Sequence, residues 1–177
     1  MDADDISLPE RFEKQVKFLD ENPDCAAVGS WCKRINEKGE VVNKWRHPAD
    51  YEGIKERLVT QNSIFHGTAM FRKESVFKIG GYNEKYKYSQ DYDLWLRLSE
   101  TAKICNINEF LYLSRSDSES LSNINRQQQN RYAEMARREA FIRRSDTDSF
   151  SLAMRYFLEA RDYFDKDSFD AAVENIN

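Results

Sequence analysis

An α/β fold, a sheet with helices packed on it, is what this sequence predicts. Three observations lead there. Segments 7–22 and 89–100 carry apolar residues at helical spacing. Runs 25–35, 63–73 and 104–115 are rich in β-branched and aromatic residues. The two kinds of segment alternate along the chain, as they do when helices cover a sheet.

The elements follow in order. Ser7-Leu8-Pro9-Glu10 has the form of an S-x-x-E capping box, with Pro9 in a first turn where its missing N–H costs little. Phe12, Val16 and Leu19 then mark one face of a helix that Asn22-Pro23 ends. CAAVGSWCKRI (25–35) reads as a strand, Asn36 to Gly39 as a turn, and EVVNKW (40–45) as the return strand of a hairpin. Residues 50–60 form a short helix. SIFHGTAMFRK (63–73) reads as a strand broken at Gly67, Ser75 to Ile79 as a helical turn, and Gly80-Gly81 as its stop. In SQDYDLWLRLSE (89–100), Ser89 caps a helix whose apolar stripe is Leu94, Trp95 and Leu98. ICNINEFLYLSR (104–115) is a late strand and 116–123 a polar loop. Arg126 to Arg144 is a long basic helix with a stripe of Tyr132, Met135 and Ile142. Two short apolar faces in 146–177 predict a helical hairpin appendage.

Composition narrows the function. Apolar residues at 40% support a core and exclude wholesale disorder. The longest apolar run is too short to cross a bilayer, and the first residues lack the basic-then-apolar pattern of a signal peptide. A net charge of -4 gives nucleic acid no electrostatic footprint. The three cysteines, Cys25, Cys32 and Cys105, are odd in number and lack C-x-x-C spacing; they fit buried thiols in a reducing compartment. Two histidines, His47 and His66, are too few for an ordinary zinc site.

Four stretches carry possible chemistry. In Asp2-Ala3-Asp4-Asp5, positions i and i+2 of an extended chain point the same way, so Asp2 and Asp4 can meet on one hard cation such as Mg²⁺ or Mn²⁺. A solvated acidic end is the plainer reading. In Gln90-Asp91-Tyr92-Asp93-Leu94-Trp95, the two aspartates lie about 200° apart on a helix, so a cleft on one side meets only one of them. Asp91, in the first turn, is a usable general base; a helix start decorated with acids is the alternative. In Ile64-Phe65-His66-Gly67-Thr68, Gly67 lets a ligand approach the backbone, while His66 also reads as a packed strand residue. The helix 126–144 has six arginines against Glu134 and Glu139, which suits an anionic surface or simply a solvated face.

Taken together and in order, MDADD, LPERFEKQVKFLDENP, AVGS, HGTAMFRK, IGGYNE, QDYDLWLRL and LYLSR…SLS resemble family 2 glycosyltransferases of the GT-A fold, across residues 1 to about 122. The resemblance implies a partial GT-A fold: a mixed sheet flanked by helices, with 1–122 as the C-terminal half of the transferase domain, 123–145 as the basic helix and 146–177 as the appendage. It implies a divalent metal, Mg or Mn, on Asp2 and Asp4. Asp91 becomes the catalytic base of an inverting displacement. The donor and acceptor are bound by Asp5, His66, Gly67, Gly81, Gln90, Trp95 and Arg115. The implied partners are a nucleotide-sugar donor and a glycan or glycolipid acceptor in surface polysaccharide or glycolipid synthesis, with no nucleic acid. The implied setting is cytoplasmic, with peripheral contact at the inner face of the membrane through the basic helix.

The chain departs from the family pattern in three places. Gln90 replaces a glutamate before the base, Arg115-Ser116-Asp117 replaces an R-x-H element, and the P-x-Y-N and D-D-G-S elements that precede D-x-D in the family are not in this sequence. The last of these departures predicts weak binding of nucleotide sugar and a homo-oligomer that covers an exposed sheet face. All three departures leave open a non-catalytic interaction module derived from a glycosyltransferase.

Overall fold

CAAVGS is buried at every position, which fits a strand covered on both faces in the middle of a sheet. It opens β2 (Cys25–Ile35), the central strand of the computed structural model, which describes residues 3–115 and 126–144. The chain enters through β1 (Ile6–Ser7) and α1 (Arg11–Glu21). After β2 come β3 (Val41–Trp45), α2 (Tyr51–Leu58), a 3₁₀ turn (His66–Thr68), β4 (Met70–Phe71) and α3 (Lys73–Lys78). The series ends with α4 (Gln90–Leu98), β5 (Lys103–Arg115) and α5 (Arg126–Arg144).

The described strands form one five-stranded mixed sheet in the order β1-β5-β2-β3, with β4 also paired to β2. β2 and β5 run parallel, joined by the crossover that carries α2, α3 and α4; the other pairs are antiparallel. The α/β expectation therefore holds, with helices flanking a mixed sheet. Ile54 and Leu58 of α2, Leu94, Trp95, Leu96 and Leu98 of α4, and Ile104, Leu111 and Tyr112 of β5 are fully buried. All three cysteines are free thiols.

Several local expectations fail. The capping box at Ser7 does not form. Ile6 and Ser7 join the sheet opposite Leu113 and Tyr112, and the Ser7 hydroxyl accepts from Arg11 Nε at 2.8 Å. Helix α1 starts only at Arg11, with no side-chain cap. Its buried side is Arg11, Gln15 and Leu19, whereas Phe12 and Val16 are exposed. The reason is hydrogen bonding: Gln15 donates to the carbonyls of Val28 (3.0 Å) and Thr68 (2.7 Å), and Arg11 to that of Gly67 (2.9 Å). The helix docks by hydrogen-bonding backbone carbonyls of β2 and of the 3₁₀ turn.

The strand expected over 63–73 shrinks to Met70–Phe71. Thr68 Oγ1 donates to the Phe65 carbonyl at 2.8 Å and holds His66–Thr68 as a 3₁₀ turn. Ser89 does not cap α4; its hydroxyl donates to the Gln129 carbonyl at 2.9 Å. In α5, Met135 and Ile142 are exposed, and the small Ala136 and Ala140 are buried instead. The chain divides into two compact units, Met1–Ala136 and Arg137–Asn177. The hairpin expected over 146–177 lies outside the described residues.

Candidate active site

Helix α4 places two aspartates in its first turn, where the backbone N–H groups favour negative charge. The helix turns them apart. Asp93 is buried and forms an ion pair with Arg97, whose Nε and Nη2 donate to Oδ2 at 2.9 and 2.6 Å. The same guanidinium donates to the carbonyls of Ile79 and Gly81, both at 2.7 Å, and so ties the Gly-Gly turn to α4.

Asp91 lines a cavity of about 500 Å³ together with Asp5, Trp45, His47, Arg57, Gln61, Asn62, His66, Gly67 and Gln129. A second cavity of about 320 Å³ is lined by His66, Tyr82, Glu84, Gln90 and Asp91. Asp91 and His66 border both. Burial pushes the Asp91 carboxyl above the usual carboxylate range, against the opposing pull of His66 and of the hydrogen bond from Asn62 Nδ2 to Asp91 Oδ2 at 2.9 Å. Asn62 is itself fixed, since its Oδ1 accepts from the Ile64 N–H at 3.2 Å. A carboxylate held by one oxygen at a cavity wall, with its proton affinity raised, has the properties of a general base.

At the other end of the sequence, Asp5 sits where β1 meets β5. Its Oδ2 accepts from the Tyr112 hydroxyl at 2.7 Å and its Oδ1 from the Arg115 N–H at 2.8 Å. Asp4 is exposed, and its side chain has no partner among the described residues. Asp2 lies outside the described residues. No group of three or more histidine, cysteine or acidic side chains converges on one point among the described residues. Mg²⁺ and Mn²⁺ take as few as one or two protein carboxylates and fill their shells with water and phosphate oxygens. Asp4 supplies one such carboxylate.

The remaining expected residues divide. His66 and Gly67 line the larger cavity, and Gln90 the smaller. Gly67 serves a partner other than the expected ligand: a Cβ there would lie 2.5 Å from the Tyr112 hydroxyl, so the missing side chain makes room for the Tyr112–Asp5 bond. Trp95 is corrected from a substrate contact to a core residue. It is fully buried, with its ring 6.0 Å from that of His66 and 6.3 Å from that of Phe71. Arg115 is likewise committed to the protein. Its guanidinium donates to the carbonyls of Asp4 (3.2 Å), Asn36 (2.9 Å) and Glu37 (3.1 Å), bracing the D-A-D-D segment against the β2–β3 turn. Gly81 lines neither cavity; it adopts φ +70° in the turn that Arg97 holds.

Sequence reasoning missed Asn62, His47, Arg57, Gln61 and Gln129. Asn62 carried the signal of an asparagine in a polar turn, TQNS, but its contact with Asp91 spans 29 residues. His47 is partly buried, and burial with the nearby Arg57 charge pushes its pKa down to about 4, so it is neutral at pH 7.

Comparison with known proteins fits this arrangement. A family model described as glycosyltransferase like family 2 matches residues 1–145. The O-antigen biosynthesis glycosyltransferase WbnJ of Escherichia coli is 41% identical over 98 residues, 55% of this chain and 37% of that protein. The amylovoran biosynthesis glycosyltransferase AmsE of Erwinia amylovora is 32% identical over 123 residues, 69% of this chain and 46% of that protein. The UDP-Gal:alpha-D-GlcNAc-diphosphoundecaprenol beta-1,3-galactosyltransferase of Escherichia coli is 30% identical over 115 residues, 59% of this chain and 37% of that protein. The chain thus spans less than half the length of these relatives. The mixed sheet and its helices are consistent with part of a GT-A fold.

Proposed function

The chain belongs to the glycosyltransferase-like family 2, and from that membership we propose that it carries the base and acceptor side of an inverting sugar transfer. The donor is a nucleotide sugar and the acceptor is a hydroxyl of a glycan or glycolipid in surface polysaccharide synthesis. The observation that carries this reading is Asp91: its proton affinity is raised, one oxygen is anchored by Asn62, and it borders both cavities.

The chemistry follows from that placement. Asp91 takes the proton of the acceptor hydroxyl as its oxygen attacks the anomeric carbon. The bond from that carbon to the donor phosphate breaks, and the nucleoside diphosphate leaves from the opposite face, so the anomeric configuration inverts. His66, beside Asp91, favours the ionised base before the attack. Asp4, with Asp2, would hold a divalent cation, which when bound offsets charge on the departing diphosphate. Arg115 and Tyr112 position that acidic segment through Asp4 and Asp5.

Among the described residues no helix is long and apolar enough to cross a membrane. Independently of that, we propose that work on a lipid-linked acceptor takes place through peripheral contact at the cytoplasmic face, for which the arginines of α5 are suited. The test is transfer itself. The chain is incubated with Mn²⁺ or Mg²⁺, labelled nucleotide sugars and glycan or lipid-linked acceptors, and the anomeric configuration of the product is read by NMR. Inverted product that disappears in Asp91→Asn supports the reading. Retained configuration, or transfer undiminished in that variant, overturns it.

A further inference from the structure

The chain enters α4 through a strained residue. Tyr88, two positions before the helix, adopts φ +69°. A bulky side chain avoids that left-handed region, so the surrounding contacts have to hold it there. Backbone outliers of this kind gather at functional sites, and Asp91 lies three residues further on. Ser89, between Tyr88 and the helix, stands at the N-cap position, but its side chain makes no bond to the helix it precedes.

The hold comes from α5. Gln129 Nε2 donates to the Tyr88 carbonyl at 3.1 Å, and the Ser89 hydroxyl donates to the Gln129 carbonyl at 2.9 Å. One residue thus clamps two successive positions, and it does so within the unit Met1–Ala136. Ser89 is only 2% exposed, so water competes little for its bond. The Ser89 carbonyl in turn accepts from the Asp93 N–H at 3.1 Å and closes the first turn of α4. Asp91 sits inside that turn. Its carboxylate is anchored by Asn62 and the backbone leading to it by Gln129. Gln129 also lines the larger cavity with Asp91, so the clamp reaches the start of the helix at the cavity wall.

We propose that Gln129 is a positioning residue for Asp91: by clamping Tyr88 and Ser89 it holds the first turn of α4, and with it the base, in place against the acceptor. The inference rests on the reading of Asp91 as the base and adds to it a residue on a different helix. A base works only within hydrogen-bond reach of the proton it takes, and a shift of about 1 Å is enough to cost orders of magnitude in rate. Without the amide donor, the Tyr88 carbonyl loses its partner and the backbone is free to leave φ +69°. The turn that carries Asp91 then loses its fixed start. A bond that only fastened α5 to the rest of the unit would have no need to fall on the strained residue beside the base.

The test uses the full chain and two readouts. Gln129→Met keeps the length of the side chain and removes the donor. Its kcat for transfer is expected to fall by roughly tenfold with the KM of the donor unchanged, because a displaced base slows the chemical step without loosening the donor. Amide hydrogen exchange reads the same effect with no transfer involved. The Asp93 N–H, which bonds the Ser89 carbonyl, should exchange roughly tenfold faster, while the amides of β2 keep the protection they have in the parent. Tyr88→Gly in the Gln129→Met chain should recover part of both losses, since glycine takes φ +69° without a clamp. Unchanged Asp93 exchange in Gln129→Met overturns the proposal, and so does faster exchange with an unchanged kcat. A loss of protection spread over the whole chain also overturns it, because Gln129 would then only fasten α5. So does a defect that Tyr88→Gly leaves as it was. The two readings fail separately. If Asp91→Asn abolishes transfer and Gln129→Met does not slow it, only this inference falls. If Asp91→Asn leaves transfer undiminished, the base reading falls, and exchange at Asp93 still decides whether Gln129 holds the start of α4.

Discussion

The molecule has two acidic pairs, Asp4-Asp5 at the start of the sheet and Asp91-Asp93 at the start of α4, and the two are built alike. In each, one carboxylate is locked into the structure and the other faces outward, Asp4 to solvent and Asp91, held by Asn62, to a cavity. Asp5 is locked by Tyr112 and the Arg115 N–H, and Asp93 by Arg97. The difference lies in what the second carboxylate faces. Asp4 is exposed, where a carboxylate stays hydrated and suits a hard cation. Asp91 is desolvated at a cavity wall, where burial raises its affinity for a proton. The same side chain is thereby suited to two jobs by its exposure alone.

The sharpest way to break the comparison is to remove the cavity-facing member of the second pair. Asp91→Asn is expected to lower transfer by roughly 10²- to 10⁴-fold, the usual contribution of a positioned base, with little change in thermal stability. Steady-state rates and a melting curve measured together check both halves. Asp4→Asn should instead shift the divalent-cation concentration needed for activity. Equal metal dependence in the two variants would erase the distinction between the pairs.

The locks differ as well. Arg97→Ala leaves Asp93 charged in the core without a partner and also frees the carbonyls of Ile79 and Gly81. A loss of about 3–5 kcal/mol is expected by denaturant unfolding, as for other broken buried ion pairs. The lock on Asp5 uses a neutral donor and is weaker. In Gly67→Ala, the new methyl would sit 2.5 Å from the Tyr112 hydroxyl and displace it from Asp5. The expected cost is about 1–3 kcal/mol, the range for overpacking together with a lost buried hydrogen bond. A Gly67→Ala loss as large as that of Arg97→Ala would show the two locks to be equivalent.

The sequence reading paired Asp2 with Asp4 and not Asp4 with Asp5, whereas the rule that a helix turns Asp91 and Asp93 apart was legible. Long periodic segments such as α4 and β5 were legible too, because their period is set within a few residues. The partners were not. Tyr112 meets Asp5 across 107 residues, and Arg115 meets Asp4 across 111. Neither contact leaves a local trace. Ser7 illustrates the cost of reading locally: its capping box is a sound short-range signal, but pairing with β5 satisfies more backbone groups than the cap would. Trp95 shows the converse error. An aromatic next to a catalytic motif looks like a sugar platform, yet its place among the buried residues of α4 puts it beneath His66.

The smallest expected effect tests why Asp91 works at all. Asn62 donates to one of its oxygens and favours the charged form, while burial opposes it. Activity should therefore rise with pH as Asp91 ionises, over a range above that of ordinary carboxylates. In Asn62→Leu the donor is gone, so the rise should move to higher pH. At a fixed pH on the acidic side, activity is expected to fall by roughly tenfold, with the high-pH plateau retained. Stability moves the other way. A carboxyl whose proton affinity is higher in the folded chain than in the unfolded one binds more protons when folded, so stability falls as pH rises from the unfolded value through the folded one. Asn62→Leu should widen that window, and chemical unfolding across the pH range would show it. A purely structural Asn62 would lower stability at every pH and leave the activity profile where it was. A profile that shifts together with a widened stability window means that Asn62 sets the charge of the base, and that the desolvation making Asp91 reactive is a cost the fold carries.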